Sequence, residues 1–249
     1  MPRVKTATLN LFNRMGEWDQ RFPLVIDQLA ALAPDVIGLQ EVDLGIDQGM
    51  QISREINKRL NERPHYRIKH AASPGQRAAT FGIGTLAKID CVQHEILDLM
   101  TFERIAQRMV YEIDGRRFAL VNTHLHHPVE AEAERTQQAG YLLAWLDKYE
   151  PLPTVLSGDF NAYEGEETVR LLKSRFRSAH EAVHGREPGK TWPTPVNTWD
   201  NSPPGTLDYI YVSPEFRITD AGLAFHTPSP ENPDLFPSDH LGLFAVLEW

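Results

Sequence analysis

The sequence predicts an α/β fold in which β-sheets pack together with helices on the outside. Three observations predict it. Three stretches carry the apolar spacing of amphipathic helices. Eleven short runs read as strands. Several of those strands follow one another with no helix between, which disfavours a purely parallel, doubly wound sheet.

Residues 4–12 (VKTATLNLF) read as the first strand. From 17 to 33, Phe22, Val25, Ile26, Leu29 and Leu32 fall at helical spacing, and Pro34 ends the helix. Residues 35–42 (DVIGLQEV) return to strand. Ile52, Ile56 and Leu60 mark a second helix by i, i+4, i+8 spacing. Strands follow at 65–70, 81–87, 91–99, 107–113 and 117–124, with Asp114-Gly115 as a hairpin turn. A third helix covers 130–149, with Gln138, Tyr141, Leu142, Trp145, Leu146 and Tyr149 on one face. Strands at 154–160, 206–213, 216–225 and 241–249 complete the set. The Pro-rich stretches 185–205 and 226–239 read as loops.

The 249 residues, 41% of them hydrophobic, show neither a composition break nor an internal repeat, so one domain over 1–249 is expected. No apolar run approaches the ~18 residues of a membrane span. The start, MPRVK, lacks the apolar segment of a signal peptide, and Cys91 is the lone cysteine. A cytoplasmic location is the expectation. The net charge of −9 argues against tight nonspecific binding to nucleic acid, though a bound divalent cation would alter the local sign.

Polar residues cluster where the apolar strands stop: Asn10, Gln40-Glu41, Asn122-Thr123-His124, Asp159-Phe160-Asn161, Asp208 and Ser238-Asp239-His240. Six such clusters suggest a shared rim. A GDFN turn alone is ordinary turn chemistry, but an unpaired Glu41 beside buried neighbours would be costly. Glu41 is a hard oxygen ligand suited to Mg²⁺. Asp159 and Asp239 could hold a metal or activate water. Asn10 and Asn161 can orient carboxylates or donate to phosphate oxygens. His124 and His240 could donate to a developing anion, and Asp208 could fix the tautomer of His240.

In order along the chain stand TLNL, LQEV, NTHL, GDFN, LDYIYVS and SDH. With these motifs the chain, from residue 6 to residue 240, resembles the endonuclease/exonuclease/phosphatase (DNase I-like) superfamily. The resemblance implies a four-layer sandwich of two mainly antiparallel sheets with outer helices. It implies hydrolysis of a phosphoester, as a phosphodiesterase or phosphatase, by water attacking phosphorus with Mg²⁺ as cofactor and Mn²⁺ as the alternative. By the same resemblance Glu41 is the main metal ligand with Asn10 beside it, and Asp239 completes the metal region. His124 contacts the phosphate, Asp159 orients or deprotonates the water, Asn161 steadies the phosphate, and His240, held by Asp208, binds the phosphate or stabilises its transition state; the His240–Asp208 pair is the other candidate for deprotonating the water. Phe12 stands where some superfamily nucleases carry an acid. The FGIGTLA strand ends on Ala87-Lys88 instead of Ser-Arg, leaving Lys88 as a weak candidate for a phosphate contact.

Other readings compete. His124, His126 and His127 could hold zinc, although Pro128 and the absence of a suitable cysteine tell against it. The scaffold could be a catalytically silent binding module, which typically lacks an Asp or His that is present here. A nuclease acting on DNA or RNA is the alternative within the same chemistry. The basic cluster Arg54, Lys58, Arg59, Arg63, Arg67 and Lys69 reads as a solvated face. Arg135 reads as a structural ion pair on the polar side of its helix. Glu164, Glu166 and Glu167 read as the acidic first turn of a further helix. The substrate expected is a small phosphoester, a lipid headgroup or a nucleic acid; no protein partner is implied.

Overall fold

A computed structural model describes residues 1–61 and 64–249. In chain order the elements are β1 (Arg3–Asn10), α1 (Trp18–Leu32), β2 (Val36–Val42), α2 (Gln48–Leu60), β3 (Arg67–Ala72), β4 (Gly82–Ala87), β5 (Cys91–Asp98), β6 (Ile105–Ile113) and β7 (Arg116–His124). There follow α3 (Glu132–Leu146), β8 (Thr154–Asp159), α4 (Glu167–Lys173), β9 (Arg177–Ser178), α5 (Ala179–His184), β10 (Asp208–Val212), β11 (Arg217–Ala224) and β12 (Gly242–Glu248).

The strands form two six-stranded sheets, ordered β11-β12-β1-β2-β4-β3 and β5-β6-β7-β8-β10-β9. Only β1–β2 and β7–β8 pair in parallel; the other strand pairs are antiparallel. Alternation along β1 shows how the layers arise. Val4 enters the core between the sheets, with Val36, Met109, Phe118, Val155, Ile210 and Leu243. Ala7 and Leu9 face the other way, onto Val25, Ile26 and Leu29 of α1 and Ile52 and Ile56 of α2. Against the second sheet, Leu142, Leu143 and Trp145 of α3 and Val169 and Leu172 of α4 form a third apolar layer with Val121, Leu156, Phe160 and Tyr211. Helices, sheet, sheet, helices: this is the four-layer α/β sandwich expected.

At one end the layer between the sheets turns polar. Gln40 donates to Asn122 (2.7 Å), and Asn122 donates to the carbonyls of Leu39 (3.1 Å) and Gly84 (2.9 Å). Gln40 and Asn122 therefore stitch the two sheets together beneath the rim and are themselves buried.

Several local expectations need adjusting. Tyr141 is solvent-exposed, and the buried face of α3 instead contains Arg135, Gln138, Ala139, Leu142, Leu143 and Trp145. Arg135 is fully buried, not on a polar face; it ion-pairs with Glu166 at 2.8 Å and donates to the carbonyls of Pro128 and Val129. That pairing takes Glu166 out of the acidic first turn, where only Glu167 stands. The short β9 and α5 had no periodic signal long enough to read. Of the basic cluster, Lys58, Arg59 and Arg67 pair with Glu55, Asp27 and Asp90, which fits a solvated face; Arg63 lies outside the described residues.

Candidate active site

Sheet register places the site. On the second sheet, His124 pairs with Asp159, and Asp159 pairs with Asp208, so β7, β8 and β10 set three polar side chains in one row at their ends. On the first sheet, Asn10 pairs with Gln40, and the Asp239-His240 segment runs in just before β12, the neighbour of β1. The two sheet edges face each other across a cavity of about 240 Å³.

Glu41 reaches this cavity through a distortion. The β2–β4 register steps from Leu39–Gly84 to Val42–Gly82, so Gln40 and Glu41 together oppose a single residue. That bulge holds Glu41 at φ 52°, a left-handed conformation unusual for a residue with a Cβ. A bulge re-aims a side chain, and here it turns the carboxylate out of the sheet toward the rim.

Gly158 serves close approach. It remains inside β8, paired with Thr123 and Tyr209, and the strand ends one residue later. With φ at 148°, an added Cβ would collide with the Thr123 carbonyl oxygen. Phe160 points away and packs edge-on against Tyr209 and Tyr211, at centroid distances of 5.9 and 5.3 Å. Asn161, at φ 49°, returns toward the cavity.

Six of the eight candidate residues line the cavity: Glu41, His124, Asp159, Asn161, Asp239 and His240. Asn10 and Asp208 stand behind them. Asp159 is the hub. It accepts from Asn10 Nδ2 and from the backbone N–H of Asn161, both at 2.9 Å. The Nε2 atoms of His124 and His240 lie 3.5 and 3.8 Å from its Oδ2. Asn10 Oδ1 accepts the N–H of Phe12 at 2.9 Å, and Asn161 Nδ2 donates to the Leu125 carbonyl at 3.1 Å. Asp208 binds His240 Nδ1 at 2.9 Å, the partnership expected of it.

The electrostatics separate these groups. Burial pushes the carboxyls of Asp159 and Asp239 up to about 6, although His240 draws both back. Burial likewise raises Glu41. His124 is held well below the usual imidazole range, by burial first and then by Arg104. Burial also opposes charge on His240, but Asp208, Asp239 and Asp159 outweigh it and hold that ring well above the ordinary range. Their surroundings thus favour the charged form of His240 and disfavour it in His124.

Three desolvated carboxylates, Glu41, Asp159 and Asp239, thus converge on one cavity. Such a set of hard oxygen donors, whose charged forms burial disfavours, fits a divalent cation. One grouping of donors, Asp159, Asp208 and His240, has atoms within 4.8 Å of one another. Its Asp208 and His240 already satisfy each other directly, so the Glu41 side is the better seat for an ion. Asp208 does keep one buried oxygen, Oδ1, without a partner. Among the described residues, His124, His126 and His127 form no comparable grouping, and His126 stacks on Phe102 at a centroid distance of 3.7 Å.

Some of the site escaped the motifs. Arg104, nearly buried, comes in just before β6 and lies with Nη1 3.0 Å from His124 Nδ1. Phe12, Phe81, Tyr163, Trp192 and Trp199 give the cavity aromatic walls, with Arg77, His127 and Asp200 among them. Trp192 and Trp199 come from the 185–205 stretch that reads as a loop. Arg104 had no signal beyond being an arginine before a strand. Lys88, by contrast, directly follows β4, whose last residue Ala87 pairs with Val36 at the start of β2, and so lies at the opposite end of the sheet from Glu41. There it donates to the Ala33 carbonyl and lies over the Tyr66 ring, so it is no phosphate contact.

A sequence profile described as the Endonuclease/Exonuclease/phosphatase family matches residues 7–240. Nocturnin of Mus musculus is 27% identical over 248 residues, covering 91% of this chain and 58% of that protein. Nocturnin of Homo sapiens is likewise 27% identical, over 251 residues. The chain thus spans less than two thirds of the length of these curated relatives. In three dimensions, the human Nocturnin catalytic domain with bound sulfate anion aligns with a TM-score of 0.79 at 24% identity, covering 99% of this chain and 93% of that one. D. rerio TDP2 complexed with single strand DNA product aligns with a TM-score of 0.80 at 18% identity, covering both chains completely.

Proposed function

The chain belongs to the Endonuclease/Exonuclease/phosphatase family, and from that premise we propose that it is a divalent-metal-dependent hydrolase of phosphoester bonds, acting as one domain over 1–249. The observation that carries the reading is the convergence of the carboxylates of Glu41, Asp159 and Asp239 with His124 and the Asp208-held His240 on a single cavity. Glu41 and Asp239 would hold Mg²⁺, or Mn²⁺ in its place, with Asn10 beside them. When bound, the ion supplies Lewis-acid polarisation of the phosphoryl oxygen and charge neutralisation.

The chain's own residues do the rest. Asp159, held by Asn10 and the Asn161 N–H, orients the attacking water and accepts its proton; with its carboxyl near 6 it is a base at neutral pH. His240, fixed through Nδ1 by Asp208, presents Nε2–H as a charged donor to the phosphoryl oxygens. His124 contributes a neutral donor from the opposite wall. Asn161 steadies the phosphate from the floor. The human Nocturnin catalytic domain, which shares this fold, holds a bound sulfate anion, and a tetrahedral oxyanion is the kind of group a phosphoester hydrolase takes.

The cavity, about 240 Å³, supports a small phosphoester, either a phosphodiester or a monoester. A second reading, a nuclease on DNA or RNA, draws support from the aromatic walls, on which unpaired bases could stack, and from the single strand DNA product with D. rerio TDP2. Among the described residues, no helix is long and apolar enough to cross a membrane; action in the cytoplasm is part of the proposal.

The test is hydrolysis of bis-p-nitrophenyl phosphate with Mg²⁺, then of a panel of small phosphoesters and single-stranded oligonucleotides. Turnover should stop on chelation by EDTA. Asp159→Asn and His240→Ala should each lower kcat/KM by about 10²–10⁴ while the fold persists. Undiminished turnover in both variants would reject the assignment.

A further inference from the structure

Arg104 determines what His124 can do. It is held in the turn between β5 and β6, where Met100, Phe102 and Glu103 take φ values of 68°, 55° and 56°. Glu103 ties that turn down by accepting the Gln76 N–H at 2.9 Å and pairing with Arg77 at 3.8 Å. The turn therefore delivers the Arg104 guanidinium to a fixed place beside the cavity.

A guanidinium carries donors and no acceptor. With Arg104 Nη1 3.0 Å from His124 Nδ1, that ring nitrogen must accept, and the ring proton must sit on Nε2. Nε2 is the atom facing Asp159 at 3.5 Å and Glu41 at 3.9 Å. His240 has the opposite arrangement, with its Nδ1 against the Asp208 carboxylate. One histidine is thus oriented by an anion and the other by a cation.

We infer that Arg104 is a positioning residue that locks His124 as the Nε2–H tautomer, making it a donor toward the phosphoryl oxygen and denying it any role as a base. With Nδ1 occupied and Nε2 protonated, His124 offers no lone pair to a water. The kinetic consequence rests on the hydrolase reading above; the tautomer does not.

The experiment uses the full chain, labelled with ¹⁵N-histidine, and long-range ¹H–¹⁵N correlation at neutral pH, with His124→Gln to assign the signals. His124 should show an unprotonated Nδ1 and a protonated Nε2. In Arg104→Met the lock should go and the two nitrogens should shift toward an average. Arg104→Lys, which still offers donors, should restore much of the original pattern. A wild-type His124 protonated on Nδ1, or a pattern unmoved in both variants, would overturn the inference. Should Arg104→Met fail to fold, Arg104→Lys and the wild-type spectrum still decide it.

A double-mutant cycle adds the functional arm, with bis-p-nitrophenyl phosphate as substrate. Arg104→Met should lower kcat by about tenfold or more in the wild-type background, as expected for loss of an aligned donor. In a His124→Ala background the same change should cost no more than about twofold. Equal losses in both backgrounds would show that Arg104 does not act through His124. If no substrate is turned over even by the wild type, the hydrolase reading fails, while the spectra still report on Arg104.

Discussion

Single residues show why the site is tuned to neutral pH. Asp159 and Asp239 both titrate near 6, and His240 loses its proton only well above the ordinary imidazole range. Asp159 must be ionised to act as base and His240 charged to act as donor. Activity should therefore rise as pH increases through about 6 and fall only well on the alkaline side, giving a bell measured by kcat/KM against pH. The alkaline limb should move down in Asp208→Asn, which removes the first of the carboxylates holding the His240 proton. The same shifts act on stability. A carboxyl whose folded pKa is raised stabilises the fold while protonated, and Asp239 loses that contribution as pH rises from 3.8 through about 6. At pH 7.5, without metal, ionised Asp239 costs on the order of 2–3 kcal/mol. Asp239→Asn should thus raise the melting temperature by several degrees in EDTA while impairing turnover; an unchanged or lower Tm would contradict this account.

At the scale of elements, strand ends deliver the chemistry and small backbone departures aim it. Gly158 lets β7 and β8 approach at the row holding His124 and Asp159. Gly158→Ala would set a Cβ against the Thr123 backbone, where no flexible side chain can give way. The expected loss is on the order of 3–4 kcal/mol, or roughly 10 °C of Tm, because the ladder itself must shift. A thermal melt within a degree or two of wild type would show that the ladder adjusts freely. These elements were unequally legible. Alternation and turn chemistry located the strands and placed polar residues at their ends, since both signals are local. The bulge at Glu41 was not legible: it arises from register between β2 and β4, which neither sequence reveals alone. Arg104 lies between elements, where no periodicity marks which side chains turn inward, and Phe12 and Phe81, read as strand residues, fall just outside β1 and β4. Gln138 is buried as its spacing indicated, but Tyr141 was misjudged because Arg135 is buried in its stead, and polar burial of that kind depends on partners such as Glu166 that are distant in sequence.

At the scale of the molecule, the candidate site is assembled by the packing of two sheets. Asn10, Glu41 and the Asp239-His240 segment come from the side of the first sheet, and His124, Asp159 and Asp208 from the second. The only covalent connection between these groups is the long way along the chain. Across the rim, Asn10 reaches Asp159 and His240 reaches Asp208. Beneath it, Gln40 and Asn122 bridge the sheets. Charge balance at the rim is nonetheless poor. The raised carboxyls of Glu41, Asp159 and Asp239 face one cavity with His240, Arg104 and Arg21 as the cations that act on them. A dication there would relieve repulsion between groups carried by different sheets, and so should stabilise the sandwich as a whole. Ligand linkage gives the size: about 2.7 kcal/mol when Mg²⁺ stands at 100 times its dissociation constant. Tm should therefore climb steadily with Mg²⁺ concentration, followed by differential scanning calorimetry from EDTA upward. Monovalent salt at matched ionic strength should not reproduce the climb, because screening acts weakly on buried charges. Glu41→Gln removes the least engaged carboxylate of the three, so it should flatten the Mg²⁺ dependence while leaving a protein at least as stable in EDTA. A Tm indifferent to Mg²⁺ in the wild type, or a dependence that persists undiminished in Glu41→Gln, would place the cation elsewhere and leave the convergence of these carboxylates without its counter-ion.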